Sequence, residues 1–169
     1  MKTCTSAFLC ACAAFALCAA FTPADAATDT AVGTSAAPGD VEFHARPAGP
    51  LGNLPFSEAV RVGNMLYLSG ELGVDASGKL VAGGVKAETK QMMDNIGRIL
   101  ARHGSSFDHV VQCTVALVDI KEWPAFNDIY RTYFKKHFPA RMAFAAAGLA
   151  LDARIELQCN AVVERQERD

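Results

Sequence analysis

The stretch ARIELQCNA, residues 153–161, alternates without a break: Ile155, Leu157 and Cys159 take one parity, Glu156, Gln158 and Asn160 the other. Successive side chains of an extended chain point to opposite sides, so this pattern predicts a strand with one covered face. Just upstream, FPARMAF, residues 138–144, opens a second short strand with an arginine behind a proline turn. Two neighbouring strands thus each carry one isolated charge, Arg141 and Glu156, among small and apolar residues. Such charges mark either a cleft or a structural ion pair.

Outward from these strands the chain stays regular. VEFHA, residues 41–45, is a short strand, and PFSEAVRVGNMLYLSGELG, residues 55–73, gives two alternating runs about Gly63-Asn64, a hairpin signal. Met92, Ile96, Ile99 and Leu100 recur with helical spacing and predict a helix from about Val85 to His103, stopped by Gly104. DHVVQCTVALVD, residues 108–119, is a strand rich in β-branched residues. A second helix starts near Trp123, with Pro124 in its first turn, and Pro139 prevents its continuation. Its aromatic stripe from Trp123 to Phe134 reads as core, and Asn127 lies away from most of it. The order βββ-α-β-α-ββ predicts an α+β domain: a single mixed sheet of about six strands with two helices on one face.

Parity divides that sheet. Leu66, Leu68, Val111, Cys113, Val115, Leu117, Met142, Phe144, Ile155, Leu157 and Cys159 are assigned to the helix-covered side. Tyr67, Ser69, Gln112, Thr114, Ala116, Arg141, Ala143, Glu156, Gln158 and Asn160 fall on the other. That second face is small and neutral where a solvated sheet would carry lysine and glutamate. It suits contact with another subunit.

The 169 residues suffice for one core, and the net charge of −2 without a Lys/Arg run argues against nucleic acid as the main partner. Residues 1–26 read as an export signal: Lys2, then an apolar run too short for a comfortable membrane span, then Ala24-Asp25-Ala26 as the cleavage signal. Residues 27–40 read as a flexible leader and 41–169 as the folded domain, exported and without a membrane span after cleavage. Four of six cysteines (Cys4, Cys10, Cys12, Cys18) leave with the signal. Cys113 and Cys159 remain, either paired by the oxidising compartment or buried as thiols. Their mid-strand positions favour thiols, because disulfide geometry is demanding there. No CxxC or histidine spacing suggests a metal site, and His44, His103, His109 and His137 read as surface residues.

PFSEAVRVGNMLYLSGELG, FNDIYRTYF, FPARMAF and ARIELQCNAV together resemble the Rid family of enamine/imine deaminases, also called YjgF or UK114, over Val41 to Val163. The most specific part is Pro139-Ala140-Arg141 followed by Ile155-Glu156. The resemblance implies a chorismate-mutase-like fold assembled as a homotrimer, with clefts between subunits. It also implies hydrolysis of small 2-imino acids and their enamines, such as 2-aminoacrylate, to 2-keto acids and ammonia without a cofactor. Family positions fall on Arg141 as carboxylate clamp, Glu156 as the group that activates water, Ser69 on a strand and Asn127 on a helix. This chain departs from the family at Phe56 (often tyrosine), Ala143 (often cysteine) and Glu71 (usually glutamine). The alternative reading is a module that binds a small carboxylate in the same cleft without turnover. A ribonuclease role, attached to some relatives, suits an acidic chain poorly.

Overall fold

The computed structural model describes residues 41–163; the predicted signal and leader, residues 1–40, and the last six residues lie outside them. Seven strands and two helices follow in the order β1 (Val41–His44), β2 (Ala59–Val62), β3 (Met65–Leu68), β4 (Glu71–Leu72), α1 (Gly84–Arg102), β5 (Val110–Leu117), α2 (Trp123–Tyr130), β6 (Ala140–Ala145) and β7 (Ile155–Val162). They form one sheet in the order β1-β2-β3-β7-β5-β6, with β4 also pairing with β7. All pairs are antiparallel except β5 with β6. This is the expected mixed sheet, with the two-residue β4 as an addition.

Local chemistry sets the boundaries. The β2–β3 hairpin turns on Gly63-Asn64, and Gly63 takes φ 59°, a left-handed value that costs glycine little. Helix α1 ends as its pattern predicts. Ser105 N–H reaches back to Leu100 O (2.8 Å) and Gly104 N–H to Ala101 O (3.2 Å), satisfying carbonyls the helix leaves open. Helix α2 is shorter than its stripe suggests, giving way to a 3₁₀ turn at Arg131–Tyr133. The Tyr133 hydroxyl donates to Asp94 Oδ1 (2.7 Å) and ties this turn to α1.

The core lies between the sheet and the helices. Leu66, Cys113, Val115, Leu117, Ile155 and Leu157 meet Met92, Met93, Ile96, Leu100 and Phe126, all fully buried. Two parity assignments fail. A bulge between Val110 and Gln112 leaves Val111 exposed and seats Val110 in the core instead. In β6 the assignment inverts. Arg141 is the register partner of Cys113 and Ala143 of Val115, so both take the helix-covered face. Met142 (59% exposed) and Phe144 (45%) stand on the open face opposite Thr114 and Ala116. On the covered side Ala143 packs against the core and Arg141 lies against the aromatic rings of α2.

The open face is knitted by side-chain amides. Gln158 donates to Asn160 (2.6 Å), Asn160 to Gln112 (2.9 Å) and Gln112 to Thr114 (3.1 Å). This polar ladder is flanked by exposed Tyr67 on one side and by Met142 and Phe144 on the other.

Cys113 and Cys159 are not free thiols. They face each other directly in the β5–β7 pairing, with Cα atoms 4.1 Å apart, and form a disulfide. Alternation gives each strand its inward face but not which residues oppose one another, and register supplied the missing fact. One histidine also differs from expectation. The His103 side chain is only 12% exposed, its ring lies 4.4 Å from that of His44, and its Nε2 approaches the buried Glu58 carboxylate (3.4 Å). Burial holds its pKa below the ordinary value.

Candidate active site

The predicted site residues fall into two groups. The first gathers on the helix side of the sheet edge. Arg141 extends from β6 beneath α2, where its Nη2 donates to Asn127 Oδ1 (2.8 Å). Its Cζ lies 4.7 Å from the ring centroid of Trp123, 5.2 Å from Phe126 and 4.5 Å from Tyr130. Ala143 follows on the same face, packed against the core. Asn127 therefore points toward the aromatic stripe's arginine, not away from it. Four residues after Trp123, it returns to nearly the same side of the helix. Asn127 takes one N–H of the Arg141 guanidinium, and no carboxylate pairs with it among the described residues, so N–H groups remain for a ligand.

Tyr130 is 4% exposed, and its hydroxyl makes no well-formed hydrogen bond. Burial pushes its pKa up to about 12, against the opposing pull of the adjacent Arg141 charge. The hydroxyl therefore stays protonated beside the guanidinium at any working pH.

The second group sits on the open face, at the gap between β3 and β4. Glu156 of β7 pairs in register with Leu72 and Ala116. Its carboxylate rests on Gly70, where a Cβ would overlap an Oε atom, so only glycine permits this approach. Half-buried, the carboxyl is held above its ordinary pKa of 4.5 by desolvation. Ser69 precedes Gly70 in the chain, and its hydroxyl donates to Ser57 O (2.7 Å). That commitment leaves Ser69 Oγ able to accept a hydrogen bond and unable to donate a second. Phe56, exposed, immediately precedes Ser57 and lies on the loop so fastened.

Sequence reasoning missed the support beneath this group. Buried Glu71 pairs with Arg46, which clips the start of the 45–58 loop to β4. Burial raises the Glu71 pKa, and Arg46 opposes the rise. A glutamate in an apolar run is a visible signal, but nothing in the sequence names Arg46 as its partner.

Arg141 and Glu156 do not meet within the chain. They occupy opposite faces of the sheet and lie three register positions apart on β5, at Cys113 and Ala116. An ion pair inside one copy is thereby excluded.

A family model described as Endoribonuclease L-PSP matches residues 48–163. The chain belongs to that family, also called YjgF or Rid. Among curated Rid relatives, the chain is 49% identical over 109 residues to the 2-iminobutanoate/2-iminopropanoate deaminase of Capra hircus, covering 64% of this chain and 80% of the relative. The human protein of the same name is 44% identical over 119 residues, 70% of this chain and 85% of that one. Solved Rid structures agree in fold. The YjgF gene product of E. coli superposes with a TM-score of 0.65 at 30% identity, covering 72% of this chain and 98% of that one. RidA of an Antarctic Psychrobacter gives 0.64 at 30% identity, covering 73% and 98%.

Proposed function

We propose that this Rid protein hydrolyses 2-imino acids and their enamine tautomers, in the class of 2-iminobutanoate and 2-iminopropanoate, to 2-keto acids and ammonia. Support comes from the relatives named as deaminases and from an arginine that no carboxylate pairs with among the described residues. Arg141 binds the substrate carboxylate through two parallel hydrogen bonds and leaves C2 exposed. Glu156 takes a proton from water as its oxygen bonds to C2, and the imine nitrogen gains a proton to give a carbinolamine. The C–N bond then breaks as C=O forms, and ammonia leaves. Ser69 Oγ accepts from the imine N–H, the one role its bond to Ser57 leaves open. The imine is already electrophilic, so positioning carries most of the catalysis and no cofactor is required.

The test generates 2-iminobutanoate in situ with an amino-acid oxidase and follows its loss. The protein is expected to accelerate that loss, with the rate falling on the acid side as Glu156 takes up a proton. Since desolvation raises that pKa, the acid limb lies above the usual carboxylate range. Binding of the keto acid without any acceleration would leave only the carboxylate-binding module.

The separation of Arg141 from Glu156 supports a cleft built from two chains in a homotrimer, one giving Arg141 and Asn127, its neighbour Glu156 and Ser69. Met142 and Phe144, turned outward on the open face, are apolar surface for that contact. Arg141→Ala and Glu156→Gln chains, each inactive alone, should therefore restore activity when assembled together. Equal mixing gives about a quarter of wild-type activity, the share of clefts that receive both halves by chance in a closed ring. An inactive mixture of well-assembled hybrids rules out the shared cleft.

We further infer that the chain works outside the cytosol, as both the N-terminal signal pattern and the Cys113–Cys159 disulfide suggest. Mass spectrometry of the protein from its native cell should find Ala27 as the first residue. A cytosolic chain beginning at Met1 or Lys2 would remove this inference.

A further inference from the structure

The stripe on α2 does more than fill the core. Trp123, Phe126 and Tyr130 stand at i, i+3 and i+7, with Asn127 at i+4, so four side chains converge on one strip of helix surface. Three ring centroids lie within 4.5–5.2 Å of Arg141 Cζ while Asn127 holds Nη2. A guanidinium is planar and weakly hydrated, and it gains from lying against aromatic faces. A long arginine side chain otherwise surrenders its rotamer freedom each time it clamps a ligand. Here that freedom is already restricted before any ligand arrives. The buried Tyr130 hydroxyl lies next to the same charge.

We propose that Trp123, Phe126 and Tyr130 are positioning residues, an aromatic box that presets the Arg141 guanidinium so that its remaining N–H groups face the substrate carboxylate. The proposal rests on the reading of Arg141 as carboxylate clamp. Phe126 and Tyr130 are buried in the core, whereas Trp123 is only half-buried and is the member that can be changed at least cost to folding. Trp123 is also the chain's single tryptophan, so its emission reports on the box directly.

The experiment uses the full assembled protein with 2-oxobutanoate as probe and 2-iminobutanoate as substrate. In wild type, 2-oxobutanoate is expected to change the Trp123 emission in a saturable way, and Arg141→Ala abolishes the response. Trp123→Leu raises KM roughly tenfold while kcat stays within about threefold, the scale of one lost cation–π contact. Trp123→Phe, which keeps a ring, recovers most of that loss. A Trp123→Leu protein with a lower melting temperature and an unchanged KM shows the ring to be packing alone and overturns the box. If Arg141→Ala itself keeps wild-type KM and the emission response, the clamp reading fails instead. If Arg141→Ala loses both while the two Trp123 variants keep wild-type KM, only the box falls.

Discussion

Replacing Arg141 with alanine lowers kcat/KM for 2-iminobutanoate by about a hundredfold or more and leaves the assembly intact. The loss follows from a bidentate, charge-assisted contact worth at least about 3 kcal/mol in the transition state. Arg141→Lys fails badly as well. An ammonium can still sit among the rings of α2, but it offers a point charge where a two-pronged donor is needed. Single-turnover assays beside light scattering and thermal melts check both variants. An arginine that merely props α2 against β6 would show the reverse pattern, with a lower melting temperature and unchanged kinetics. Full activity in an assembled Arg141→Ala protein removes the mechanism.

Opening the Cys113–Cys159 disulfide is the largest expected effect on stability. The bond links residues 46 apart, and the chain-entropy account of such a loop gives about 4 kcal/mol. For a domain of this size that corresponds to a fall in melting temperature on the order of 10 °C. Cys113→Ala/Cys159→Ala is the variant of choice, because both sulfurs are fully buried and a reductant reaches them only when the sheet opens. Melting curves unchanged between the double variant and wild type would show that packing alone holds β5 to β7. Activity should survive at temperatures where the variant stays folded, since neither sulfur takes part in the proposed chemistry.

Much of the site could be read from the order of residues. Pro139-Ala140-Arg141 and Ile155-Glu156 stand out because a charge inside an apolar alternation is visible in one dimension. The helices were equally open to reading, since their stripes repeat within a few turns and the Schellman stop at Gly104 is local. Glu71 could be seen as odd, but Arg46 could not be seen as its answer. The pair spans 25 residues, and no pattern of spacing connects a loop to a strand.

What the sequence determined by itself was therefore local: strands, helices, their covered faces along the central sheet, and the two charges that do not belong in a core. Register and the placement of the edge strand belonged to the tertiary structure. Only pairing β5 with β7 put Cys113 opposite Cys159, and only the parallel addition of β6 sent Arg141 under α2 with Met142 and Phe144 outward. A one-residue shift of parity exchanges the faces of a whole strand, so hydrophobicity alone misjudges a strand whose outward side is itself apolar. At β6 the rings of Trp123, Phe126 and Tyr130 offer faces beneath α2 against which a guanidinium stacks. Packing, not the preference of any residue for burial, decided which side the arginine took.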